Sequence, residues 1–103
     1  MAAITNPKTK VTEFSGVSKI LSLNGLALTT ASDALTLSFA NNNIASITNI
    51  VASIETGADG NFATVMPSYS GLVITLTSKN ATGATATNFD DADCTVNLLV
   101  VGT

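Results

Sequence analysis

Histidine, arginine and tryptophan are absent from this sequence, and cysteine and tyrosine occur once each. Without histidine, the side chain that most often moves protons near neutral pH is missing, and a Ser–His or Cys–His pair has no base. Without arginine there is no planar, bidentate clamp for phosphate or carboxylate. The P-loop, dinucleotide-binding and nucleophile-elbow signatures are missing too. Ser18 and Lys19 are adjacent, but neighbours on a strand point to opposite faces, so they form no Ser–Lys dyad there. The expectation is a protein that is not an enzyme, with no catalytic residue, no cofactor-binding residue and no metal ligand.

Charge is equally sparse. Lys8, Lys10, Lys19 and Lys79 are the only bases, and the net charge is −3. Nucleic acid is therefore excluded as a partner, since phosphate contacts need clustered Lys and Arg, and single-strand platforms need exposed aromatics. Only 11 % of residues are charged, against about 25 % in an average soluble domain. A surface this neutral suits a chain that packs against other protein subunits. Three of the four lysines precede residue 20 while Asp90, Asp91 and Asp93 crowd near the end, an asymmetry that fits two solvated termini or head-to-tail contacts.

The lone Cys94 excludes an internal disulfide and a multi-cysteine metal site, and reads as a small buried side chain. Residues 1–8 show neither the charged segment nor the apolar core of a signal peptide. No apolar run approaches the roughly 18 residues needed to cross a bilayer. The expectation is a product made in the cytoplasm, with no membrane partner.

What is present is a foldable β-type inventory. Leu, Ile, Val and Phe supply 29 of 103 residues, while Thr, Ala, Ser and Asn supply 50. That is enough apolar material for one core, and a chain of this length buries about 60–65 % of its unfolded surface. A single β-rich domain over residues 1–103 is expected, with residues 1–10, broken at Asn6-Pro7, as a candidate extended N-terminal arm.

The clearest local signal is residues 19–28, two alternating runs separated by Asn24-Gly25. Asn-Gly suits a type I′ turn, so the stretch predicts a tight hairpin with Leu23 facing Leu26, Leu21 facing Leu28, and all four leucines on one side. Further strands are expected at residues 9–14, at 34–39 with Leu35, Leu37 and Phe39 alternating, at 62–66 closed by Pro67, and at 72–77. Ile44, Ile47, Val51 and Ile54 recur at three and four residues. That spacing predicts one short amphipathic helix near residues 43–55 with Asn43 as N-cap; the β-branched composition leaves a bent or bulged strand as the alternative. Residues 57–60 read as a turn and residues 78–93 as a long surface loop. The last strand, residues 95–101, is apolar on both faces at Leu98-Leu99-Val100-Val101, which places it either in the centre of a covered sheet or against another subunit. Six or seven strands at such intervals point to a mainly β fold, a small antiparallel β-sandwich or barrel.

Two weak chemical patterns remain. Asn88 to Asp93 is rich in oxygen ligands but lacks the glycine and distal glutamate of a calcium loop, so Asp90, Asp91 and Asp93 read as a solvated acidic turn. Asn80-Ala81-Thr82 fits a glycosylation sequon, which has no use without secretion. With Tyr69 the only tyrosine, stacking on sugars is disfavoured.

Small, rich in Thr, Ala, Ser and Asn, free of His and Trp, and β-patterned throughout, the chain resembles bacteriophage virion structural proteins of the capsid decoration, or cement, type. The resemblance is one of composition over the full length, with no diagnostic motif. It implies a homo-oligomer, trimer or dimer, that binds outside the capsid lattice, bridges major capsid protein subunits and resides in the virion. Two other roles are consistent with the same residues: a tail, fibre or head-tail connector subunit, and a receptor- or glycan-binding adhesin domain.

Overall fold

The computed structural model of the chain describes residues 2–11, 14–15, 18–56, 64–79 and 94–103. In order, the elements are β1 (Ala2–Ile4), β2 (Phe14–Ser15), β3 (Ser18–Leu28), β4 (Ser32–Thr36), α1 (Phe39–Asn42), β5 (Ile47–Thr56), β6 (Thr64–Ser70), β7 (Val73–Lys79) and β8 (Cys94–Gly102). One sheet runs β1-β4-β7-β6 and the other β2-β3-β8-β5, where β2 is only a two-residue bridge on the edge of β3. β1 lies parallel to β4; the other pairings are antiparallel. The sheets pack as a β-sandwich-like globule, the mainly β class that the strand pattern predicts. Leu21, Leu23, Leu26, Leu28, Val96, Leu98 and Val100 face Leu35, Ile74, Leu76 and Val65 across a buried core.

Asn24-Gly25 does not turn the chain. β3 continues through it, and the register against β8 slips between Leu23↔Leu98 and Leu26↔Val96. A type I′ turn needs positive φ at both central residues, and only Gly25 has it, at +69°. A left-handed glycine inside a ladder is the signature of a β-bulge, which puts two residues of one strand opposite one of the other. The Gly25 amide, which the bulge would leave unpaired, donates to Asn97 Oδ1 at 3.0 Å. The extra residue also flips the side-chain phase, so Leu21 and Leu23 share the buried face with Leu26 and Leu28. The hairpin reading placed these leucines on one face correctly and paired them wrongly. The tight hairpin lies instead between β6 and β7, where Ser70 opposes Val73 across Gly71-Leu72.

Nor do residues 43–55 form a helix. From Ile47 on they lie in β5, whose ladder with β8 slips between Ile47 and Asn49 and again between Ile54 and Thr56. The three- and four-residue spacing marks no single face: Ile47 and Ile54 turn inward while Val51 is exposed on the outer side. β-branched Ile and Val side chains favour the pleated surface, and the strand alternative holds. The one described helix is the single turn α1. Ser38 caps it, its Oγ accepting from the Asn41 amide at 3.0 Å, and Asn43, predicted as an N-cap, ends it in the left-handed region at φ 59°. Strand β4 therefore stops before Phe39, which is exposed.

β6 runs through Pro67 rather than ending there, which is permitted because β6 is the edge of its sheet. Residues 57–60, the sequon and Asp90, Asp91 and Asp93 lie outside the described residues. Residues 9–11 form no strand of their own, though Phe14–Ser15 do pair with β3.

The N-terminal segment is held along its own domain. β1 adds to β4, and beyond it the Asn6 and Asn42 side-chain amides pair reciprocally at 2.7 and 3.1 Å. Asn42, fully buried, also donates to the Thr9 carbonyl and accepts from the Ser38 amide, while Asn43 donates to the Val11 carbonyl. Asn42→Ala is expected to cost about 2–3 kcal/mol, the penalty for orphaning buried polar groups. Hydrogen exchange should then accelerate at residues 3–11 before the rest of the sandwich, and equal protection in both proteins would show that the asparagine lattice does not hold this segment.

Candidate assembly surface

Each sheet turns one face to the core and one outward, and the two outward faces differ. On the β1-β4-β7-β6 sheet the outer positions are chiefly hydroxyl-bearing or small: Ser32, Ala34 and Thr36 on β4, Thr75 and Thr77 on β7, Ser68 and Ser70 on β6. Ser32 and Thr77 sit opposite each other with hydroxyls 3.3 Å apart. Met66 and Val73 are exposed there, but Met66 pairs with Thr77 and Val73 with Ser70, so they lie at separate places on the sheet.

The outer face of β2-β3-β8-β5 carries a continuous apolar row. Ile20 on β3 opposes Val101 on β8, and two residues along, Leu99 lies between Ser22 of β3 and Val51 of β5. Ile20, Val51 and Leu99 are 53, 55 and 40 % exposed. The row exists because β8 is the sheet's centre: Val96, Leu98 and Val100 point to the core, so Leu99 and Val101 must point out. The two-sided strand is thus central in its sheet, and its second face is left open among the described residues. Toward the other end the face turns polar through Asn97, Ser53, Thr95 and Glu55, where the Thr95 hydroxyl donates to Glu55 Oε1 at 3.1 Å.

At the apolar end the Lys19 ammonium donates to the Asn43 carbonyl at 2.9 Å and stands 5.3 Å from the centroid of the exposed Phe39 ring. Lys19 is thereby engaged away from Ser18, its sequence neighbour. Tyr69 donates its hydroxyl to the Thr48 carbonyl at 3.0 Å, a bridge between the two sheets.

An open groove of about 410 Å³ lies between β1 and the β3 bulge, with Ile4, Pro7, Asn24 and Leu26 in its lining and no charged side chain. Among the described residues no group of three or more His, Cys, Asp or Glu comes together to hold a metal, and no helix is long and apolar enough to cross a membrane. Cys94 takes its place in β8 opposite Leu28.

Sequence reasoning singled out Leu99 and Val101 but missed Ile20 and Val51, which the hairpin and helix readings had absorbed. The signal for Val51 was a period of two: Ile50, Ala52 and Ile54 inward, Asn49, Val51, Ser53 and Glu55 outward. No protein-family model matches the chain, and neither a curated protein nor a solved structure matches it.

Proposed function

We propose that this chain is a structural subunit of a viral particle, a decoration or cement protein that binds the outer capsid lattice and stabilises it through protein–protein contacts. The observation that carries the reading is the row of Ile20, Val101, Leu99 and Val51 across three strands of one sheet. An apolar stripe at one end of an exposed sheet face is a surface suited to burial against another subunit. Its contacts would be shape-driven rather than charge-driven, in keeping with four lysines and no arginine in the whole chain.

The test is to mix the purified protein with undecorated capsids of the virus that encodes it and to image where density appears. Regular density on the outer lattice is expected. Leu99→Asp should weaken that binding at least tenfold while the thermal midpoint stays near wild type, because the position is exposed and the aspartate disturbs no core contact. Density at the tail or portal would instead assign the connector role. A protein that leaves capsids bare and binds glycans would be an adhesin.

A further inference from the structure

Among the described residues the two sheets have four edges, and three of them are blunted. β1 has three residues, β2 has two, and β6 carries Pro67, which withholds a donor. β5 is different: it has ten residues and neither proline nor lysine. Long unguarded edges are ready templates for another strand, and proteins that do not use them usually protect them.

Burial also falls off toward this edge. Val96, Leu98 and Val100 on β8 are 0, 2 and 0 % exposed, yet their direct partners on β5, Ile54, Ala52 and Ile50, are only half-buried. These side chains face the core, and on that side β6 packs alongside β5, its Tyr69 hydroxyl donating to the Thr48 carbonyl at 3.0 Å. Ile50 donates its amide to the adjacent Asn49 side chain at 2.9 Å, and the Thr48 hydroxyl donates to the Val101 carbonyl, which therefore points toward β5. By the alternation of an antiparallel ladder, Asn49, Val51 and Ser53 bond to β8, while Ile50, Ala52 and Ile54 direct their backbone groups away from it.

We propose that β5 is the contact edge of a two-fold dimer, pairing antiparallel with β5 of a second copy about Ala52. A second copy fits because the edge is complementary to itself. In this register Ala52 meets its own equivalent, a small side chain at the axis, and Ile50 meets the second copy's Ile54 on the inner face. On the outer face Val51 meets Ser53, and Glu55, the only charge on the strand, meets Asn49 rather than another carboxylate. Glu55 Oε1 already accepts from the Thr95 hydroxyl. The Ile50 amide passes from Asn49 Oδ1 to the second copy's Ile54 carbonyl. The bulges at the two ends of β5 bound the paired stretch. The inference goes beyond the capsid reading and does not depend on it, since Leu99 lies off this edge.

Light scattering on the full chain, over a dilution series reaching high micromolar concentration, is expected to give twice the 10.4 kDa chain mass. Ala52→Pro removes an outward amide at an edge position and should convert the dimer to a folded monomer, whereas Leu99→Asp should leave it dimeric. A wild-type monomer throughout the series would overturn the proposal, as would a dimer that survives Ala52→Pro. Should Ala52→Pro not fold, Val51→Cys with Ser53→Cys, in a Cys94→Ala background, decides the matter. Directly opposed non-hydrogen-bonded residues have Cα atoms about 4.5 Å apart, within disulfide range. Mild oxidation is then expected to yield a covalent dimer, and failure to cross-link would overturn the pairing.

Discussion

Gly102→Ala is expected to destabilise the protein by about 3 kcal/mol or more, at the upper end of what overpacking a closed site costs. A Cβ at this position would stand 1.9 Å from the Ser46 carbonyl oxygen and 2.8 Å from Ile44 Cδ1. Ile44 could rotate, but the Ser46 oxygen is backbone. That backbone is clamped. The Ala45 and Ser46 amides donate to the Thr103 carbonyl at 2.8 and 3.3 Å, and the Thr103 amide donates back to Ser46 at 3.1 Å. Moving the loop out of the way would break this cluster and uncover Ile44, which is fully buried. At roughly 4 °C or more per kcal/mol for a domain of this size, the thermal midpoint should fall by at least about 12 °C. Denaturant titration should show a lower midpoint with an unchanged slope. A midpoint within a few degrees of wild type would mean that residues 44–46 yield freely, contrary to the hydrogen bonds that hold them.

Asp33→Ala should be nearly as damaging, for an electrostatic rather than a steric reason. Asp33 is 1 % exposed on the inner side of β4, opposite Leu76. Its Oδ2 accepts from the amides of Thr29 at 2.8 Å and Thr30 at 3.2 Å, and its Oδ1 accepts from the Thr30 hydroxyl. The carboxylate thus organises the turn from β3 into β4, where the chain crosses from one sheet to the other. Hydrogen bonds to a charged group contribute about 1.5–3 kcal/mol each, and deleting the acceptor strands its donors. A loss of about 3 kcal/mol is expected for alanine. Asp33→Asn keeps the shape and one carbonyl acceptor, so it should lose about half as much. A full loss for Asp33→Ala with none for Asp33→Asn would assign the effect to packing rather than to the turn's hydrogen bonds.

Sequence periodicity made the β class legible because alternation needs only local information. Leu35, Leu37, Ile74 and Leu76 are buried where a period of two puts them, and Leu21, Leu23, Leu26 and Leu28 share one face. The errors cluster where a strand is irregular. A bulge and a turn both call for Asn-Gly, and the residues that separate them, Asn97 and the rest of β8, lie some seventy positions away. In β5 apolar residues on both faces, Ile47 and Ile54 inward and Val51 outward, made a strand resemble a helix. The candidate surface suffered for the same reason. Leu99 stood out within a double-sided run, but Ile20 and Val51 join it only once β3 and β5 are known to flank β8.

By itself the sequence determined that this is a mainly β protein with one apolar core, few charges, and no histidine or arginine on which common catalytic and phosphate-binding sites are built. Those are properties of composition and of a two-residue period, carried by each segment alone. Tertiary structure decided which strands are neighbours, that Gly25 is a bulge, that the N-terminal segment is lashed down by Asn42 and Asn43, and that β5 is left as an edge. Each of these depends on hydrogen bonds between residues far apart in the chain, and local preference cannot choose among partners it does not contain.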